Sequence, residues 1–106
     1  MNNQLELDDG SRVSLDEHGH LVNREEWSVA VADALAALDC ITLTEAHWLV
    51  IGVLRDYYEE YGIEPPMRAL VRILRDKAAG DVANSLELYR LFPEGPAKQG
   101  SRYSGL

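Results

Sequence analysis

"TEAHWLVIGVLRDYYEEYGIEPPMRALVRILR", residues 44–75, decides the fold. Thr44 is a good N-cap, and Glu45 behind it suits the positive end of a helix dipole. From Glu45 to about Tyr61 the apolar residues cover more than one face. Trp48, Ile51, Leu54, Tyr58 and Tyr61 lie on one side, with Val50 and Tyr57 beside them. A helix apolar over so wide an arc is a central one with neighbours on two sides. Gly62 suits the left-handed position that ends a helix. "IEPP" then forces an extended link, because a residue before proline avoids the α region. Pro66 fits the first turn of a second helix, predicted over 66–79. That helix turns Leu70, Val71, Ile73 and Leu74 inward, and Gly80 ends it.

Upstream, Asp9-Gly10 and His18-Gly19 are turn signals flanked by Leu5 and Leu7, Val13 and Leu15, and Leu21 and Val22. Such alternation reads as short strands in a hairpin or small meander. "NREEW" has Asn23 and Glu26 at capping-box spacing. It opens a predicted helix with Trp27, Val31, Ala34, Leu35 and Leu38 on one face, and "DCITL" ends it. Downstream, "NSLELYRLF" is a short helix stopped by Pro93, and Pro96 fits the first turn of one more. The chain reads as a single domain, 1–106, in three stretches. Residues 1–22 form the β-hairpin region, 23–91 the helical body, and 92–106 a short C-terminal arm. The expected class is mainly α: a small orthogonal helical bundle with an N-terminal hairpin.

At 106 residues, 46% hydrophobic, the chain has material for one core, and its formal net charge is −8. An acidic surface opposes general binding to nucleic acid or anionic membrane. "MNNQLELDDG" lacks a signal-peptide pattern, and no apolar run approaches the roughly 20 residues that span a bilayer. The expected setting is the cytoplasm. Nothing in the pattern asks for a cofactor.

Each chemical candidate has a plain rival. Arg68, Arg72 and Arg75, at i, i+4 and i+7, share one face of the 66–79 helix. They read as a partner-docking surface or as a solvated face. With the preceding helix they also outline a helix-turn-helix, but any two helices with a short link do so. His18 and His20 could ligate a metal only with ligands from elsewhere. His47 reads as packed or hydrogen-bonded near Trp48 rather than catalytic. No carboxylate pair is singled out for acid-base work, and no glycine-rich phosphate loop is present. Cys40 is the lone cysteine. A reactive thiol needs nearby positive charge or a helix N-terminus. Beside Asp39, it reads better as a half-buried small hydrophobe.

"LTEAHW" (43–48), "LRDYYEEYGIEPPMRALVR" (54–72) and "LYRLFPEGPAKQ" (88–99) resemble the DsrC/TusE family of sulfur-trafficking proteins. "DEHGHL" and the Trp27 segment fit its N-terminal part. The resemblance implies a helical domain with a β-hairpin and a flexible C-terminal arm that holds cysteines. One cysteine follows "PAKQ-A"; the other is penultimate in an extension beyond the Gly-Leu and carries sulfur as a persulfide or trisulfide; members such as TusE lack the first and keep the last. Implied partners are dissimilatory sulfite reductase in one branch, and the TusBCD complex with a tRNA thiolase in the other.

This sequence departs from that pattern where the chemistry lies. Ser101 stands where the first cysteine is expected, and the sequence ends at Gly105-Leu106. A hydroxyl cannot form a persulfide, so no catalytic role transfers to Ser101. The expectation is a non-catalytic protein of sulfur metabolism. It would bind a sulfite-reductase-like or TusBCD-like partner through Arg68, Arg72, Arg75 and Lys98, in a regulatory or competing role. One alternative is an active carrier that uses Cys40 or a C-terminal cysteine absent from this chain. The other is a DNA-binding regulator acting through the 66–79 helix.

Overall fold

The structure, a computed structural model, describes residues 3–77 and 83–105. Strands β1 (Asn3–Glu6) and β2 (Arg12–Leu15) pair antiparallel, with Leu5 opposite Val13. Leu5, Val13 and Leu15 point into the core, and an isolated bridge to Leu21 brings in a third apolar residue. Both turns use their glycines at positive φ, 87° at Gly10 and 85° at Gly19. In the second turn, the Asp16 carboxylate accepts the backbone N–H groups of His20 (3.0 Å) and His18 (2.8 Å). Those bonds hold Asp16 below the usual carboxylate range, that of His20 foremost.

Residues 23–27 differ from the sequence reading. Asn23 caps a three-residue 3-10 turn, Arg24–Glu26, by accepting from Glu25 N at 3.0 Å. Trp27 is extended, and helix α1 (Val29–Leu38) starts after it, with Ser28 Oγ accepting from Val31 N at 3.2 Å. The reason is that the Trp27 indole is used sideways. Its Nε1–H donates to Tyr103 O at 2.7 Å, which a helical Trp27 in α1 would forgo. Leu38, expected on the buried face of α1, is 65% exposed, because the inward face is Val31, Ala32, Leu35 and Ala36.

Helix α2 (Glu45–Tyr61) is the central element. Its N-terminus is closed by His47 rather than by an acid. Nδ1 accepts Thr44 N–H at 3.1 Å, which leaves the proton on Nε2, and that atom donates to Leu91 O at 2.9 Å. The ring also meets Phe92 edge-on at 5.2 Å. His47 is therefore buried and structural, as expected, with Leu91 and Phe92 as long-range partners. Burial in α2 concentrates over His47–Leu54, so Tyr61 at its end is 58% exposed and stacks on Tyr57. Gly62 takes the left-handed cap at φ 72°.

Helix α3 (Met67–Asp76) buries Leu70 and Leu74, with Val71 and Ile73 half-buried. The expected end of this helix at 79 and the stop at Gly80 lie outside the described residues. Helix α4 (Ser85–Leu91) begins at Asn84, whose side chain accepts from Glu87 N, and buries Leu88. Helix α5 (Pro96–Tyr103) starts with Pro96 in its first turn. The residues read as a C-terminal arm thus fold inward as α5, packed against α2, α1 and α4. Gln99, Gly100, Ser101, Tyr103, Ser104 and Gly105 are all buried. Small residues make this seating possible. A Cβ on Gly100 would lie 2.6 Å from Leu54 Cδ1, so α5 crosses α2 at close range. Among the described residues, no helix is long and apolar enough to cross a membrane.

Candidate functional site

The chemistry-bearing residues gather where the end of α1 meets α5. Helix α1 ends in a Schellman arrangement: Cys40 N donates to Ala37 O (3.0 Å) and Ile41 N to Ala36 O (2.9 Å). This puts Cys40 in the left-handed region, at φ 60°, a place where glycine is more usual. The Cys40 thiol is exposed, not half-buried as the sequence suggested. The tight turn itself lifts the side chain out of the core.

Asp39, one residue earlier, turns the other way. Its Oδ2 accepts from the Arg102 guanidinium, from Tyr103 OH at 2.5 Å, and from Gln99 Nε2 at 3.5 Å. Gln99 Nε2 also donates to Tyr103 OH (2.8 Å), while its Oε1 accepts from Glu94 N (2.9 Å). Arg102 lies 3.6 Å from Glu94 as well. One carboxylate thus ties three residues of α5 to the end of α1. Burial, reinforced by the hydrogen bond to Asp39, pushes the Tyr103 phenol up to about 12. Tyr103 therefore stays protonated at neutral pH and acts as a donor.

The far end of α5 is held by its carbonyls. Trp27 Nε1 donates to Tyr103 O, and Arg55 NH1 donates to Ser104 O at 2.6 Å. The Arg55 guanidinium stacks 3.8 Å over the Trp27 ring, a cation–π contact that also orients it. Beside this clasp runs an open groove of about 880 Å³, lined by Val22, Arg24, Glu25, Arg55, Tyr58 and Glu59 among others. Two arginines and two glutamates line it, so its formal charge balances.

Ser101 sits in the middle of this helix and is fully buried. Its Oγ is the one buried side-chain polar atom without a hydrogen-bond partner among the described residues. Among the described residues no base hydrogen-bonds to it, as activation of a serine nucleophile would require. The remaining expected residues lie elsewhere. Arg68, Arg72 and Arg75 stand exposed on α3, and Lys98 stands exposed on α5. No ion pair engages any of these four among the described residues. No group of three or more His, Cys, Asp or Glu gathers to hold a metal among the described residues.

Sequence reasoning missed Asp39, Gln99, Arg102 and Tyr103 as one network, and Trp27 and Arg55 as a clasp. Gln99 and Tyr103 are four apart and so share a helix face. That much was readable; the acceptor, some 60 residues away in sequence, was not.

A family profile described as "DsrC like protein" matches residues 8–106. The chain belongs to the DsrC-like family. Curated relatives carry the same family's sequence over nearly their whole length. The sulfurtransferase TusE homolog of Haemophilus influenzae is 44% identical over 97 residues, covering 92% of this chain and 89% of the relative. Sulfurtransferase TusE of Photorhabdus laumondii is 43% identical, covering 92% and 88%. Among solved structures, DsrC of Allochromatium vinosum superposes with a TM-score of 0.88 at 45% identity, covering 100% of this chain and 94% of that one. The oxidized gamma subunit of dissimilatory sulfite reductase (DsrC) from Archaeoglobus fulgidus gives 0.86 at 42% identity, covering 98% and 94%. The DsrC-like fold, helices around an N-terminal hairpin, is therefore shared.

Proposed function

We propose that this DsrC-like chain is a non-catalytic protein of sulfur metabolism. It acts in the cytoplasm, binds a sulfite-reductase-like or TusBCD-like partner, and regulates that partner or competes with a sulfur-carrying relative. The observation that supports this most is Ser101. Where members other than TusE carry the first cysteine, there is a hydroxyl, fully buried and, among the described residues, without a hydrogen-bond partner. Sulfane sulfur travels on thiolates, and a hydroxyl cannot replace one. The body that a partner would recognise is intact, with exposed Arg68, Arg72, Arg75 and Lys98 as its docking cations.

Exposure of Cys40 favours a second reading, an active carrier. The Cys40 thiolate would attack the terminal sulfur of a donor persulfide. The donor would leave as its thiolate, and Cys40 would hold the sulfur as a persulfide with no net oxidation. A carrier could equally use a C-terminal cysteine outside this chain. DNA binding through α3 is a third reading, opposed by the net charge of −8.

Intact-mass measurement after exposure to a persulfide-loaded sulfurtransferase separates the first two readings within this chain. A gain of one sulfur atom that disappears in Cys40→Ser supports the carrier and overturns the non-catalytic reading. No gain, with the donor active on a TusE, supports the binding role. Titration against a purified TusBCD complex and a dissimilatory sulfite reductase then tests partnership. Failure to bind either one overturns it.

A further inference from the structure

Helix α3 departs from the rest of the molecule in charge. Arg68, Arg72 and Arg75, with Lys77 just after the helix, are exposed and form no ion pair among the described residues. The other described arginines are engaged. Arg12 meets Glu6, Arg90 meets Glu87 and Arg102 meets Asp39, while Arg24 and Arg55 lie over aromatic rings. The lack of ion-pair partners on α3 among the described residues is not for want of acids, since the chain carries 18 of them. Glu64 before the helix and Asp76 within it are near in sequence, yet neither pairs with these cations.

Apolar anchors lead directly into this face. Tyr61 and Ile63, at the end of α2 and in the α2–α3 link, are 58% and 59% exposed. Aromatic side chains and arginines together are the residues that dominate protein–protein hot spots. A helix buried on one side against α2, presenting guanidiniums at i, i+4 and i+7 on the other, offers a ridge complementary to carboxylates at helical spacing.

We propose that the exposed face of α3, together with Tyr61 and Ile63, docks an acidic protein surface. The chain as a whole carries a charge of −8, so an extended polyanion such as a nucleic acid is repelled at long range. A compact acidic patch with an apolar centre suits this face, where cations and exposed apolar side chains lie close in sequence. The inference rests on the partner-binding role above and deepens it. It names the partner's chemistry and centres the contact on α3.

The probe is a short amidated helical peptide with glutamates at i, i+4 and i+8 around a leucine. It is titrated into the isotope-labelled full chain, with an RNA duplex of similar length run in parallel. The expected result is amide shifts confined to residues 61–77. Affinity for the peptide should fall at least about ten-fold in Arg68→Glu/Arg72→Glu, and remain unchanged in Arg12→Glu on the exposed hairpin. All these side chains are exposed, so circular dichroism should show the same fold in each variant. Shifts centred elsewhere, equal affinity in the double variant, or tighter binding of the duplex than of the peptide would each overturn the proposal. The same variants titrated against TusBCD and sulfite reductase separate the two claims. Peptide docking on α3 without partner binding removes the function and leaves the surface. Partner binding unaffected by the double variant removes the surface and leaves the function.

Discussion

Asp39 is the side chain on which most depends. It is half-buried and answers Arg102, Tyr103 and Gln99 together. Asp39→Asn removes the charge from all three bonds and leaves Arg102 with only the longer contact to Glu94. The expected loss is about 2 kcal/mol in urea denaturation, since charge-assisted bonds are each worth about 1.5–3 kcal/mol. Ser101 predicts the opposite sign. A buried hydroxyl without a partner costs about 1–3 kcal/mol, so Ser101→Ala should leave stability unchanged or raise it by about 1 kcal/mol. Tyr103 sets a pH dependence. Its folded value, about 12, lies above the unfolded one. Its contribution is therefore complete below pH of about 10 and is lost as pH rises through the folded value. Comparing alkaline denaturation of the native chain with Tyr103→Phe should show a smaller loss between those two limits in the variant.

At the level of elements, α5 is governed by how near it comes to α2. The Gly100 Cβ position lies 2.6 Å from Leu54 Cδ1, and Leu54 is fully buried. Gly100→Ala must push that methyl aside within a dense core, at a cost of about 1–3 kcal/mol. Differential scanning calorimetry should register it as a lower Tm. This closeness also explains what the sequence did and did not disclose. Helices α2 and α3 and the hairpin were legible because their apolar periodicity and their caps are local. Helix α5 read as an arm because its buried face sets Pro96 and Tyr103 among Gln99, Gly100 and Ser101, which carry little apolar signal. What seats it is contributed by Asp39, Trp27, Arg55 and Leu54, all distant along the chain. Trp27 was misplaced for the same reason, since its partner is Tyr103 O. At the candidate site, the exposed cations of α3 were legible from spacing, whereas the burial of Ser101 and the exposure of Cys40 are tertiary results.

Across the whole molecule, stability should be unevenly spread. The hairpin has two strands of four residues each and turns open to water, whereas α2 lies between α3 and α5. Native-state hydrogen exchange should show the β1–β2 amides exchanging first and those of α2 near Val50–Leu54 last, with α5 closer to α2 than to the hairpin. Uniform protection across hairpin and helices would contradict this. The clasp that Trp27 and Arg55 place on the carbonyls of residues 103 and 104 has one more consequence. A ribosome delivers α2 long before it delivers the helix that covers it. Until α5 emerges, the nascent chain carries Leu54 and its neighbours bare. Closure of the core must therefore await the synthesis of α5, and any delay before it prolongs the interval in which a chaperone is needed.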